Sequence, residues 1–361
     1  SMLRGIKVVD FSKWLPGQYC GMMLADYGAD VIKVESPKGD DPRRFTPQIA
    51  ENMSYWHMML NRNKRDVVVD LKTPEGVAAL TKLLQDADVF LEGFRAGYLA
   101  QFGLDYESVK KINPRLIYVS ITGFGQKSHK PGHDLNVIGL ASLSGLDDGT
   151  EIALPDLQMS ALTGSTNAFA TICICLFNRE KTGLGRHLDV SLYASGLNMK
   201  ITGIAAMYGC DAQKCKPFSR VSHYYGVYQC KDGRYMTVGT IEPKFWNRLC
   251  DLIECPELKE RQFDFDHEKD LIKIIEDKFK TKTQAEWLAL IGDEEFCVTP
   301  ILTMREALNS ELTKEQNILM SVQDKDFGEL HYIGYPVKIS DYEQKTPQRA
   351  QWLGESNELL K

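Results

Sequence analysis

The chain has 361 residues, 43% of them hydrophobic and 25% charged, a balance that fits a globular protein and excludes disordered and fibrous classes. A formal net charge of −6 argues against a surface that tracks nucleic-acid phosphates, although a local basic pocket for a small phosphorylated molecule is compatible with it. The nine cysteines (Cys20, Cys173, Cys175, Cys210, Cys215, Cys230, Cys250, Cys255 and Cys297) are odd in number and lack paired zinc-type spacing, which points to reduced structural thiols in a cytoplasmic setting.

Ser1-Met2 reads as the remnant of a cleaved tag, without the apolar core of a signal peptide. Ile6–Asp10 is predicted as a strand and Val31–Glu35 as another, with a helix between them that Pro16 opens and Gly28 closes. Thr73-Pro74-Glu75 starts a second helix: Thr73 caps, Pro74 stands where no amide donor is needed, and Glu75 faces the positive helix end. Val77, Leu80, Leu83, Leu84 and Ala87 then recur at helical spacing. Val89–Leu91 and Leu116–Ile121 are further strands, and this alternation predicts an α/β fold with a parallel sheet and crossover helices.

Beyond Gly125, Leu135–Leu143 and Leu157–Arg179 are predicted helices, and Gly183-Leu184-Gly185 turns into a strand at His187–Val190. Ala161–Phe177 is the most apolar stretch. Its Thr163, Ser165, Thr166, Asn167 and Thr171 favour a buried helix over a membrane span. Residues 205–222, polar and containing Gly209, Pro217 and Ser219, are the expected linker; Cys210 and Cys215 within it have a redox pair as their alternative reading. Ser222–Tyr228 and Tyr235–Gly239 form a hairpin around Lys231-Asp232-Gly233. Helices follow at Glu242–Leu252 and around Leu271–Leu290, and Glu358–Lys361 carries no organelle address.

Four stretches could carry chemistry, each with a plainer reading. Gly123-Phe124-Gly125 follows a strand as a phosphate turn would, but lacks the rest of a dinucleotide fingerprint and serves equally as a tight turn. Leu60–Arg65 places three cations before a strand, either as a solvated loop or as a phosphate site. Glu92–Gly97 ends a strand, where ligands bind in open α/β sheets, and Arg95 offers a planar fork there. His133 enters a helix beside Gly132 and Asp134, and Glu242 precedes the helix-opening Pro243; a structural imidazole and a capping carboxylate are their plainer roles.

Taken together, the stretches resemble the α-methylacyl-CoA racemases and the related class III CoA-transferases. The matching segments run from Gly5–Asp10 and Leu24–Glu35 through Asn61–Lys72, Glu92–Gly97, Thr122–Gln126, Gly132-His133-Asp134, Gly183–Val190 and Asp232–Phe245 to Cys297–Pro300. The resemblance implies a large Rossmann-like α/β domain built from both chain ends (residues 1–204 and 321–361), a smaller α+β domain at 223–320, and an interlocked homodimer. It implies an acyl-CoA substrate, with no cofactor beyond coenzyme A as part of that substrate, no metal, no nucleic acid and no membrane. The adenosine phosphates would meet Arg62, Lys64, Arg65 and Arg95, with Lys38 and Lys127 as further contacts.

Racemases of this family share Gly-His-Asp and a later Ile-Glu-Pro. By that resemblance His133 is a base for the hydrogen alpha to the thioester, Asp134 completes the triplet, and Glu242 is the imidazole's partner. Inversion needs a second acid/base on the opposite face, an aspartate in the family. Aligning Pro155 and Gln158 with the family's Pro-x-x-Gln-x-x-Asp stretch puts Ala161 in that column, while Asp156 is a displaced alternative. Ala161 is either a natural change or an engineered one, and the segment between His133 and Pro155 is shorter than the family's. The expected function is an epimerase of 2-methylacyl-CoA thioesters acting through an enolate. The alternatives are a class III CoA-transferase using an aspartyl anhydride, and a non-catalytic CoA-binding homologue.

Overall fold

The computed structural model describes residues 1–146, 152–214 and 221–361, which divide into two compact units: Ser1–Ala205 with Ile318–Lys361, and Ala206–Asn317. In the first unit, β1 (Lys7–Phe11) leads to α1 (Leu15–Asp26) and β2 (Asp30–Glu35). A small ladder of β3 (Gln48–Ala50) and β4 (Met53–Ser54) precedes α2 (Tyr55–Leu60) and β5 (Lys64–Val68). Next come α3 (Pro74–Leu84), β6 (Val89–Glu92), α4 (Tyr106–Ile112) and β7 (Ile117–Thr122). After these run α5 (Asp134–Leu140), α6 (Met159–Thr182), β8 (His187–Ser191), α7 (Leu192–Asn198) and the first residues of α8 (Ile201–Gln213), which passes into the second unit at Ala206.

The sheet has the order β5-β2-β1-β6-β7-β8, and every pairing in it is parallel. Strands covered on both faces need apolar side chains on both. One face (Val9, Ile32, Val67, Phe90) packs on Leu80, Leu84 and Val109 of α3 and α4. The other (Val8, Val31, Leu91, Val119) packs on Leu24 of α1 and Ala168 and Ile172 of α6. Thr73 caps α3 as its sequence predicts, accepting from Gly76 N at 3.0 Å. The apolar stretch Ala161–Phe177 lies within α6, whose Ala168, Ile172 and Leu176 are buried in this core.

The chain builds outward from β1 in both directions, first to β2 and β5 and then to β6, β7 and β8. The gap between β1 and β6 is therefore the topological switch point, and loops leaving their carboxyl ends diverge to form a crevice.

The second unit holds the antiparallel strands β9 (Tyr225–Gln229), β10 (Tyr235–Gly239) and β11 (Val298–Pro300) with α9 (Pro243–Leu252), α10 (Glu268–Phe279), α11 (Gln284–Ile291), α12 (Met304–Leu308) and α13 (Glu311–Gln316). Its core is built around Trp246, Phe279 and Trp287. The helix expected around Leu271–Leu290 is two helices, broken where Thr283 caps α11 through its hydroxyl and Glu286 reaches back to its amide. The expected linker is helical through Gln213, while Cys215, Pro217 and Ser219 lie outside the described residues. The closing hairpin of β12 (Leu319–Asp324) and β13 (Gly328–Ile333) returns to the first unit, where Leu330 and Tyr332 pack on Met53 and Met58.

Candidate active site

A cleft of about 720 Å³ opens at the switch point. Its walls are the Ser12–Gly17 loop after β1, the Gly93–Ala96 loop after β6, the Thr122–Asp134 loop after β7, and the start of α6. Buried charges hold the first loop in shape. Asp10 accepts from the Ser12 amide at 3.1 Å and pairs with Lys64 at 2.9 Å, while the Lys33 ammonium donates to the Ser12 carbonyl. A β-carbon on Gly17 would collide with the Ser12 side chain, so only glycine lets the loop turn this tightly into α1.

His133 is the N-cap residue of α5 and is exposed to the cleft. Its backbone amide donates to Asn136 Oδ1 at 3.0 Å, and its ring stands edge-on to Trp14 at 5.6 Å. Gly132 lets the chain pass the Phe124 ring, which a β-carbon there would approach to 3.0 Å. Asp134 turns away from the imidazole's helix: its carboxylate accepts from the Ser160 hydroxyl and from Ala161 N at 2.9 Å, fastening the start of α6. Ala161, 4% exposed, lines the same cleft as His133. Asp156 is exposed in the bend before α6 and does not line it.

Of the cations expected to meet phosphates, Arg95 lines the cleft. Arg62 is fully buried and paired with Asp26 at 2.6 Å; Lys64 is buried against Asp10, the Gln18 carbonyl and Asn61. Both are corrections: these charges are spent on the core, and neither reaches the cleft lining. Arg65 forms an exposed fork with Asp30, and Lys38 and Lys127 are exposed outside the lining. Glu242 belongs to the second unit, exposed at the N-cap of α9 without a side-chain capping bond. Among the described residues no group of three or more His, Cys, Asp or Glu could hold a metal ion.

The structure adds lining residues that sequence patterns did not single out. Lys13, His129 and Lys130 bring basic groups, and Trp14, Phe45 and Trp56 form an aromatic wall with centroid spacings of 6.4 and 5.7 Å. The cleft thus joins cations, an apolar wall and an imidazole, a combination suited to a ligand with an anionic part and an apolar part.

A parallel α/β sheet with such a cleft at its switch point is the arrangement in which proteins of this class bind small molecules. The family model of CoA-transferase family III matches residues 3–357, and the chain belongs to that family. It is 30% identical to human succinyl-CoA:glutarate CoA-transferase, covering 98% of this chain and 84% of that protein. It is 32% identical to human alpha-methylacyl-CoA racemase, covering 90% of this chain and 84% of that one. A CAIB/BAIF family protein from Brucella suis superposes with a TM-score of 0.83 at 27% identity, over 99% of this chain and 97% of that structure. The family is enzymatic, and its members similar to this chain include racemases and CoA-transferases alike.

Proposed function

We propose that the chain binds a 2-methylacyl-CoA thioester in the cleft and belongs to the racemase type, with His133 as the base on one face of an enolate. The observation that carries this is the placement of His133 and Ala161 on the walls of one cleft. The imidazole, exposed there, is positioned to take the proton alpha to the thioester, and the apolar wall of Trp14, Phe45 and Trp56 accommodates the acyl group. Arg95, with Lys13 and Lys130, offers the cations for the CoA phosphates.

Ala161 can neither return a proton nor attack a thioester. In this reading the chain therefore removes and replaces the alpha hydrogen on His133's face, without inversion, and an aspartate at position 161 supplies the missing group. The same methyl side chain argues against transfer through an aspartyl anhydride at this column. Glu242, carried by the second unit, keeps in this reading the role the family resemblance implies for it, a carboxylate partner for the imidazole. The reading includes a cytoplasmic setting and a homodimer, the second supported by the exposed Ile174 and Phe177 of α6.

The test is incubation of the chain and its Ala161→Asp variant with an (R)- or (S)-2-methylacyl-CoA in heavy water. The chain should incorporate deuterium with retention into one of the two epimers and leave the other unexchanged, and the variant should interconvert them. Transfer of CoA to an added carboxylic acid by the variant, without inversion, would replace this reading with the transferase. Binding with neither reaction would leave a non-catalytic CoA-binding protein.

A further inference from the structure

Two consecutive carbonyls of the loop after β1 are taken by buried donors. The Lys33 ammonium donates to that of Ser12, and the Gln18 amide donates to that of Lys13 at 3.0 Å. Gln18 Nε2 also donates to Asp40 Oδ2 at 3.0 Å, and the same carboxylate pairs with Lys33 at 2.6 Å. Lys33, Gln18 and Asp40 are all buried, so the three form one closed clamp on the loop. Gln18 is a costly residue to place there, because its Oε1 is buried and has no hydrogen-bond partner among the described residues. An unpaired buried acceptor works against stability, and an apolar side chain of the same length would carry no such penalty. What the amide supplies instead is the bond to the Lys13 carbonyl.

Each peptide unit is planar, so holding the Ser12 and Lys13 carbonyls fixes where Trp14 leaves the backbone. Trp14 is the N-cap residue of α1, and its ring lines the cleft. The ring stands edge-on to His133, with centroids 5.6 Å apart and planes crossed at 83°, an arrangement that aromatic rings favour. It also meets Phe45 at 6.4 Å and the Lys13 ammonium at 5.6 Å, and that ammonium is paired with Asp41 at 2.9 Å. The clamp, the loop, the indole and the imidazole thus form one continuous series of contacts within the first unit.

We propose that Gln18 and Trp14 are positioning residues for His133: the Gln18 amide holds the Lys13 carbonyl, the held loop sets Trp14, and the Trp14 ring limits rotation of the imidazole. This rests on the reading of His133 as the base that removes the alpha hydrogen. An imidazole free to rotate presents its nitrogen to that hydrogen for only part of the time, so loosening Trp14 slows proton removal.

The experiment follows deuterium incorporation into a saturating 2-methylacyl-CoA in heavy water, so that changes in affinity do not enter the rate. It compares the chain with Gln18→Met, Trp14→Ala, Trp14→Phe and the double variant of Gln18→Met with Trp14→Ala. Gln18→Met and Trp14→Ala should each slow exchange by about tenfold, the effect of a misplaced catalytic group. Trp14→Phe keeps an aromatic edge against the imidazole and should stay within about threefold of the chain. The double variant should be no slower than Trp14→Ala alone, because Gln18 acts through Trp14. The thermal midpoint of Gln18→Met should hold, since the variant gives up two bonds but also removes the unpaired acceptor; a merely structural glutamine would lower it and leave the rate alone. Exchange by Gln18→Met at the rate of the chain would overturn the proposal, as would effects that multiply in the double variant. Should Gln18→Met not fold, Gln18→Asn, whose amide falls one methylene short of the Lys13 carbonyl, decides in the same way. Absence of exchange into either epimer by the chain itself would instead remove the reading of His133 as the base, and this proposal with it.

Discussion

Asp134 opens α5, yet its carboxylate acts on α6, accepting from the Ser160 hydroxyl and at 2.9 Å from the Ala161 amide. Removing it leaves two donors at the start of a helix without their acceptor, and Ser160 is fully buried. Asp134→Ala should therefore cost about 1–2 kcal/mol, the usual worth of a helix-capping side chain, read as a lowered urea midpoint with an unchanged slope. Because the same bonds fix Ala161 in the cleft wall, the inversion gained by Ala161→Asp should weaken in the double variant. This bridge was not legible beforehand, since the triplet Gly-His-Asp draws attention to the imidazole and says nothing of a partner 27 residues along. Position 161 was singled out by the family resemblance, with Pro155 and Gln158 in register and Asp156 as the displaced alternative; the cleft lining includes Ala161 but not Asp156.

Strand periodicity carried most of the first unit: five of the sheet's strands fall within a residue of their predicted bounds at one or both ends, because their apolar runs are bounded by turn residues. Charges inside those elements were not readable in the same way. A run such as Arg62-Asn63-Lys64-Arg65 looks like a solvated or ligand-facing loop until the pairing of β5 with β2 buries alternate side chains beneath α1. Lys64→Ala should then cost about 3–5 kcal/mol by stranding Asp10, and should loosen the Ser12–Gly17 loop as well. Asp66, also on β5, gives a pH signature. Burial and its hydrogen bond with Glu35 push its carboxyl up to about 10, while Gly354 N donates to it at 2.8 Å. The folded chain thus holds a proton that the unfolded chain releases near pH ~4. The unfolded state binds fewer protons, so this group lowers stability as pH rises from about 4 to about 10. Thermal melts should show Tm falling across that window in the parent chain and a shallower fall in Asp66→Asn.

At the scale of the whole molecule, the apolar surface left uncovered is the feature that calls for an explanation. Asn167, Ala170, Ile174, Phe177 and Lys181 recur on one face of α6, with Ile174 64% and Phe177 67% exposed. On α8, Ile201, Met207 and Tyr208 are exposed as well. Leaving such residues in water forgoes about 1.5–3 kcal/mol for each large side chain that could be buried. The pattern accords with the proposed homodimer, in which a second copy covers this face of α6. Composition could not distinguish this face from a core face, because an apolar helix buried by its own chain and one buried by a partner have the same sequence signature. Sedimentation equilibrium should give twice the chain mass. The double variant Ile174→Glu, Phe177→Glu should give the single-chain mass, because it places two unpaired carboxylates in an apolar contact. Its far-ultraviolet circular dichroism should be unchanged, since neither side chain contributes to the core that α6 forms with the sheet. A double variant that sediments as the parent does would move the contact elsewhere on the surface. A parent chain of single mass would instead leave the α6 face to a partner other than a second copy.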